Sequence, residues 1–193
     1  MSFGEFHIEG KQFALAGLLA STEFDMWKHK SEASKASRMV GVLGEMFGAM
    51  YLETVAGARS VIAQGLLHRM GLFAKNTLDR GDIVVLGKRT IKQGPNYAPY
   101  KVDSVVQYEI KASSTPTYRG MIECRSAQEY ASRFCVGVVF ITVHIGDNEA
   151  YGIVEDQADP RDIVAYWPVV EVDGVPYYES PLVRRKINFD LKS

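Results

Sequence analysis

Val105-Val106-Gln107-Tyr108-Glu109-Ile110-Lys111 is the stretch on which the fold turns. Its β-branched and aromatic residues make it a strand. The period of two puts Glu109 and Lys111 on one face and sends Ile110 into the opposite layer. Upstream, Asp82-Ile83-Val84-Val85-Leu86 reads as a second strand, opened by an acid and ended at Gly87. A basic connection containing Gly and Pro, residues 88–101, joins the two. Paired as a hairpin, they bring Asp82 towards Glu109 at the sheet edge.

Working outward, Met39, Leu43, Met46, Phe47 and Met50 recur at three- and four-residue intervals, the period of an amphipathic helix over residues 38–56. Further helices are expected over residues 13–27 and 58–70, the latter stopped at Gly71. Downstream, Pro116 and Gly120 mark a loop, and Ser126 is the expected N-cap of a helix reaching Cys135. Residues 136–145 are the most strongly apolar β run, and residues 150–154 a short strand after Asp147-Asn148. Four of the seven prolines follow Glu155, which predicts irregular structure with a hairpin at Asp173-Gly174. The expected order is helix, helix, strand, strand, helix, strand, strand. That is an α/β domain with a central mixed β-sheet flanked by helices. It spans residues 1–193 as one unit, with a core at about 38–154 and a C-terminal extension at 155–193.

At 47% hydrophobic and 23% charged residues, the 193-residue chain has the composition of a globular domain, which excludes disorder, collagen and coiled coil. Cys124 and Cys135 have no His or Cys cluster around them, so neither a disulfide framework nor a structural zinc site is expected. No apolar run approaches the ~20 residues of a membrane-spanning helix. Residues 1–11 carry Glu5 and Glu9 where a leader would be basic. A cytoplasmic, reduced protein is expected.

Asp82, Glu109 and Lys111 are the residue types that metal-dependent phosphodiester hydrolysis requires. Magnesium prefers carboxylate oxygens and retained water. A neighbouring ammonium positions the attacking water or helps to deprotonate it. The bare pattern of acid, any residue, lysine occurs three times, at Glu9, Glu109 and Asp190. Glu9 is followed by Gly10 and Asp190 lies in the terminal tail. Only Glu109 sits in a β run preceded by a helix and an acid-led strand.

With these residues the chain resembles the PD-(D/E)XK nuclease superfamily over residues 38–154. The family core is a helix, a three-stranded meander, a helix and a further strand. An acid lies on the second strand and acid-X-Lys on the third. Gly81-Asp82-Ile83-Val84-Val85 looks like the second-strand motif, with Gly81 in place of the usual proline, and Tyr108-Glu109-Ile110-Lys111 looks like the third. The resemblance implies a restriction-endonuclease-like core, with Asp82 and Glu109 holding Mg2+ (Mn2+ as a substitute) and Lys111 orienting water. A helical acid often assists; Glu45 fits that place, and Glu53 competes for it. Ser113-Ser114-Thr115 and Arg125-Ser126-Ala127-Gln128 are similar to segments of type II restriction endonucleases, with Gln128 a candidate to face the site.

The net charge of -1 hides an asymmetry. Residues 59–133 hold 12 Lys and Arg against 6 acids, and residues 134–183 hold 1 against 9. Lys88, Arg89, Lys92, Lys101, Arg119 and Arg125 are therefore the candidate DNA-binding cations. The expectation is a magnesium-dependent endonuclease cutting double-stranded DNA, acting as a homodimer because two strands must be cut. The alternatives are a junction resolvase, a repair or phage nuclease, or an inactive DNA-binding protein.

Overall fold

The computed structural model describes residues 4–27, 34–54, 60–63, 82–91, 100–133 and 135–184. In chain order the elements are β1 (Gly4–Glu9), α1 (Gly10–Trp27), α2 (Lys35–Thr54), β2 (Ser60–Ile62), β3 (Ile83–Ile91) and β4 (Tyr100–Ser113). There follow β5 (Met121–Glu123), α3 (Cys124–Ser132), β6 (Cys135–Ile145), β7 (Glu149–Ala158), α4 (Pro160–Tyr166), β8 (Val169–Val172) and β9 (Val175–Glu179).

Among the described residues, the strands form a six-stranded sheet in the order β1-β7-β6-β4-β3-β2 and a three-stranded sheet in the order β5-β9-β8. Every pairing is antiparallel except β4 with β6. That parallel pair needs a crossover, and α3 lies within it. The architecture is thus mixed α/β with helices on a central mixed sheet.

β6 explains why residues 136–145 read as one apolar run. Val139, Ile141 and Val143 enter the core beneath α1 and α2, while Val138 and Phe140 enter a second core with Ile122, Ala127, Ile163 and Tyr178. A strand buried on both faces has no polar alternation. Each fully buried aliphatic or aromatic side chain contributes about 1.5–3 kcal/mol.

The helix α2 lies unusually close to β4. A Cβ built on Gly44 would stand 2.3 Å from the Ala112 Cβ, and one on Gly48 would stand 2.5 Å from the Ile110 Cδ1. Further along the same sheet there is equally little room: Phe47 packs where a Cβ on Gly152 of β7 would lie, 2.4 Å away. The two helical glycines therefore exist for approach, not for flexibility, since both lie inside a regular helix.

Several expectations change. Ser60–Ile62 is a strand paired with β3, not part of a helix over 58–70; its β-branched Val and Ile gain a sheet partner that outweighs the helical spacing. The remainder of that helix, with Gly71, lies outside the described residues. Gly87 does not end β3: the strand runs on to Ile91, and β4 begins at Tyr100, so both described ends of the basic segment are strand. The third helix starts at Cys124 with Glu123 as N-cap, three residues before the expected Ser126 cap. β1 was not foreseen, because its Glu5, His7 and Glu9 face solvent at the sheet edge and dilute the apolar signal. The described part of the region after Glu155, as far as residue 184, is regular: it forms α4 and the β8–β9 hairpin, whose turn residues Asp173 and Gly174 both take positive φ. No helix among the described residues is long and apolar enough to cross a membrane.

The close approach yields a contrast that urea denaturation measures. Gly44→Ala is expected to destabilise the protein by about 1–3 kcal/mol, because the methyl group meets a side chain fixed to a strand. Gly17→Ala in α1, where nothing lies within 4 Å, is expected to stabilise by up to about 1 kcal/mol.

Candidate metal-dependent hydrolytic site

Four of the residues singled out above converge. Asp82 immediately precedes β3, and its Oδ2 accepts the Ile110 N–H of the neighbouring strand at 2.9 Å. That bond ties the start of β3 to β4 beside Glu109. Strand alternation then does the rest: Ile110 is buried towards α2, while Glu109 and Lys111 lie on the other face. The Lys111 Nζ donates to the Glu109 Oε1 at 3.2 Å.

Glu45 arrives from α2, carried by the same turn that contains Gly44 and Gly48. It is 3% exposed and sits where the charges of Asp82 and Glu109 act on it. Burial first, and then these two carboxylates, push its pKa well above the ordinary carboxylate value. Of the two helical acids, Glu45 is therefore the one gathered with Asp82 and Glu109; Glu53 is exposed.

Tyr130 on α3 was missed by the sequence reading. Its hydroxyl donates to the Glu109 Oε1 at 2.6 Å and accepts from the Lys111 Nζ at 3.1 Å, with the ammonium 5.0 Å from the ring centroid. Burial raises the phenol pKa, the Lys111 charge pulls against this, and Glu109 adds to the rise, so Tyr130 stays neutral. For Lys111, burial works downwards, but Glu109, Tyr130 and Asp82 outweigh it and the pKa ends above the ordinary lysine value. Lys111 is thus held as an ammonium ion. Gln128, the expected contributor from this helix, is exposed. Two residues apart on a helix is about 200°, so Tyr130 and Gln128 cannot face the same way. The signal for Tyr130 was available in its spacing of three from the buried Ala127.

The candidate DNA-binding residues scatter. Lys88, Arg89 and Lys101 fall on the paired strands, with Lys88 opposite Asp103, Arg89 opposite Val102 and Lys101 opposite Thr90. Lys92 lies outside the described residues. Arg125 is exposed in the first turn of α3. Arg119 turns the other way: its Nε donates to the Glu155 Oε1 at 2.8 Å and its terminal nitrogen reaches the same oxygen. Glu155 is 1% exposed and also accepts from the Thr142 Oγ1 at 3.1 Å. The neighbouring Asp156 is buried too and accepts from the Ser180 Oγ at 2.5 Å. Part of the acidic segment is therefore internal, spent on fastening residues 119–120 and 180–183 to the sheet.

Carboxylate oxygens are the donors that Mg2+ or Mn2+ prefers, and the raised pKa of Glu45, from burial first and then from the charges of Asp82 and Glu109, favours its protonated form. Glu45, Asp82 and Glu109 do not bring three carboxylate oxygens within 4.8 Å of one another; among the described residues one group of candidate ligands does. It is the exposed trio His7, Glu9 and Glu149 on β1 and β7. No protein-family model, no curated protein and no solved structure matches the chain.

Two predictions follow from the charges. Because the folded-state pKa of Glu45 is raised, its contribution favours the fold at low pH and is lost as pH rises through that value. In EDTA the parent protein should melt at a higher temperature near pH 5 than near pH 8 on account of this group, and Glu45→Gln should flatten that dependence and raise the melting temperature at pH 8. An unchanged pH profile would contradict the reading. Separately, Arg119→Ala should cost about 3–5 kcal/mol in urea denaturation by stranding a buried carboxylate, whereas Arg125→Ala should leave stability within about 0.5 kcal/mol.

Proposed function

We propose that this chain is a magnesium-dependent endonuclease of the PD-(D/E)XK kind that hydrolyses phosphodiester bonds in duplex DNA, with type II restriction enzymes as the closest analogy and a homodimer as the working form. The observation that carries the reading is the meeting of Glu45, Asp82 and Glu109 with an ammonium that Tyr130 holds in place. Three elements of order support it. α2 bears the helical acid, the antiparallel strands β2, β3 and β4 follow with Asp82 before the second and Glu109 on the third, and α3 leads to β6 parallel to β4. That succession matches the core which the motif implies.

Asp82, Glu109 and Glu45 would hold the cation, which when bound supplies charge neutralisation at the phosphate and a more acidic water. Tyr130 donates to the Glu109 Oε1 and so helps to fix the orientation of that carboxylate. Lys111 cannot serve as the base while it is an ammonium ion. Its part is to fix the nucleophilic water and the scissile phosphate by charge and hydrogen bonding. The raised pKa of Glu45 favours its protonated form, and a bound cation would favour the ionised form. The homodimer follows from the chemistry of the substrate, since one site cuts one strand and a two-fold pair matches the symmetry of a palindromic duplex.

The test is a digest of mixed plasmid and phage DNA. With Mg2+ the purified protein should give discrete fragments, and with EDTA none. Glu109→Ala and Lys111→Ala should each lower the rate by at least about 100-fold. A smear would point to a nuclease without sequence preference. Intact DNA of every form, or variants that cut like the parent, would refute the assignment.

A further inference from the structure

The helix α1 is apolar on two opposite faces. Phe13, Ala16, Leu19 and Ala20 turn inward, into the core that α2 shares. On the other side Ala14, Leu15, Leu18 and Thr22 are exposed, Leu15 by 46% and Leu18 by 63%. Residues 12–22 contain no charged side chain. A helix that covers one side of a solitary domain turns charged and polar residues outward. An apolar outer face belongs instead to a helix that is covered on both sides.

The hydroxyl donors on this face are already used. The Ser21 Oγ donates to the Gly17 carbonyl at 2.8 Å and the Thr22 Oγ1 to the Leu18 carbonyl at 2.9 Å, so both are satisfied within their own helix. Charge stands only towards the ends, at the exposed Lys11 and Asp25. The spacing is symmetric about Leu18. Lys11 and Asp25 lie seven residues to either side of it, Ala14 and Thr22 four, and Leu15 and Ser21 three. Positions three, four and seven apart share one helix face. A second α1 laid antiparallel, with a two-fold axis at Leu18, brings the two Leu18 side chains together and sets Lys11 beside the partner's Asp25 at both ends. A parallel pair would set like charges against each other at both ends.

We infer that the outer face of α1 is the surface through which two copies of this chain associate, with the helices antiparallel about Leu18. An isologous interface requires a patch that is complementary to itself, and this stripe has that property in its apolar centre and in its charged ends. The inference rests on the endonuclease reading for the need of a second copy, and adds which surface supplies it. The inner face of α1 packs on α2, the helix that carries Glu45, so one layer of helix separates the two-fold axis from the helical acid of each site.

The experiment is sedimentation equilibrium of the full chain over a range of micromolar concentrations, alongside plasmid cleavage with Mg2+. The parent should sediment as a dimer. Leu18→Glu sets two like charges on the axis and should weaken the dimer at least about 100-fold. Lys11→Glu should weaken it about 10-fold, and the exchange Lys11→Glu/Asp25→Lys should restore it to within about 3-fold of the parent. Tyr166→Glu, on α4 at a position 79% exposed, should leave the dimer unchanged. If Leu18→Glu loses its fold by circular dichroism, Lys11→Glu and the double exchange decide alone. A dimer that these variants do not weaken, or one that the double exchange fails to restore, would overturn the inference. A monomeric parent that cuts plasmid would overturn it too, while leaving the hydrolytic assignment intact. A dimer that responds as expected but cuts no DNA of any form would overturn the endonuclease reading and leave the interface standing.

Discussion

The closeness of α2 to β4 is the constraint on which the other features depend. Gly44 and Gly48 let the helix backbone settle against Ala112 and Ile110, with no side chain between. Leu43 and Phe47 then reach the core that Ile83, Ile110 and Ile141 supply. The same descent delivers Glu45, the residue after Gly44, into the neighbourhood of Asp82 and Glu109. A helix held off by the width of one methyl group would both open the core and withdraw the third carboxylate. Packing and site are one arrangement here.

That arrangement is electrostatically unfavourable by itself. Glu45 carries that cost: burial first, and then the charges of Asp82 and Glu109, raise its pKa. Tyr130 moderates it by donating to Glu109 while it accepts from Lys111, so the pair is held without fully cancelling the negative charge. Proteins retain such arrangements where a cation or a reacting group completes them. By contrast, the Arg119–Glu155 pair is closed: both partners are engaged, Thr142 adds a further donor, and no charge is left over for a ligand.

Much of this was legible in the sequence where a local rule decides the outcome. Alternation placed Glu109 and Lys111 together and Ile110 opposite, and the three- and four-residue spacing drew α2. Asp173-Gly174 announced its hairpin. What could not be read depended on partners distant in the chain. β1 is recognisable only through its pairing with β7, some 140 residues away, and β2 only through β3. Arg119 looked like a phosphate ligand because its counter-ion lies 36 residues downstream, inside the acidic segment. Tyr130 entered the site through the direction of a helix face, which a residue list does not contain. Gly87 misled in the opposite sense: a glycine within a long ribbon resembles a strand end when the paired strand is unknown.

The central claim is that Glu45, Asp82 and Glu109 together hold a hard divalent cation. Its most direct test is Mn2+ anomalous diffraction from crystals of the full chain. The account predicts an anomalous peak within coordinating distance of the Asp82 and Glu109 carboxylates. Mn2+ bound solely at the exposed His7, Glu9 and Glu149 trio, or crystals saturated with Mn2+ that show no peak beside Asp82 and Glu109, would contradict it.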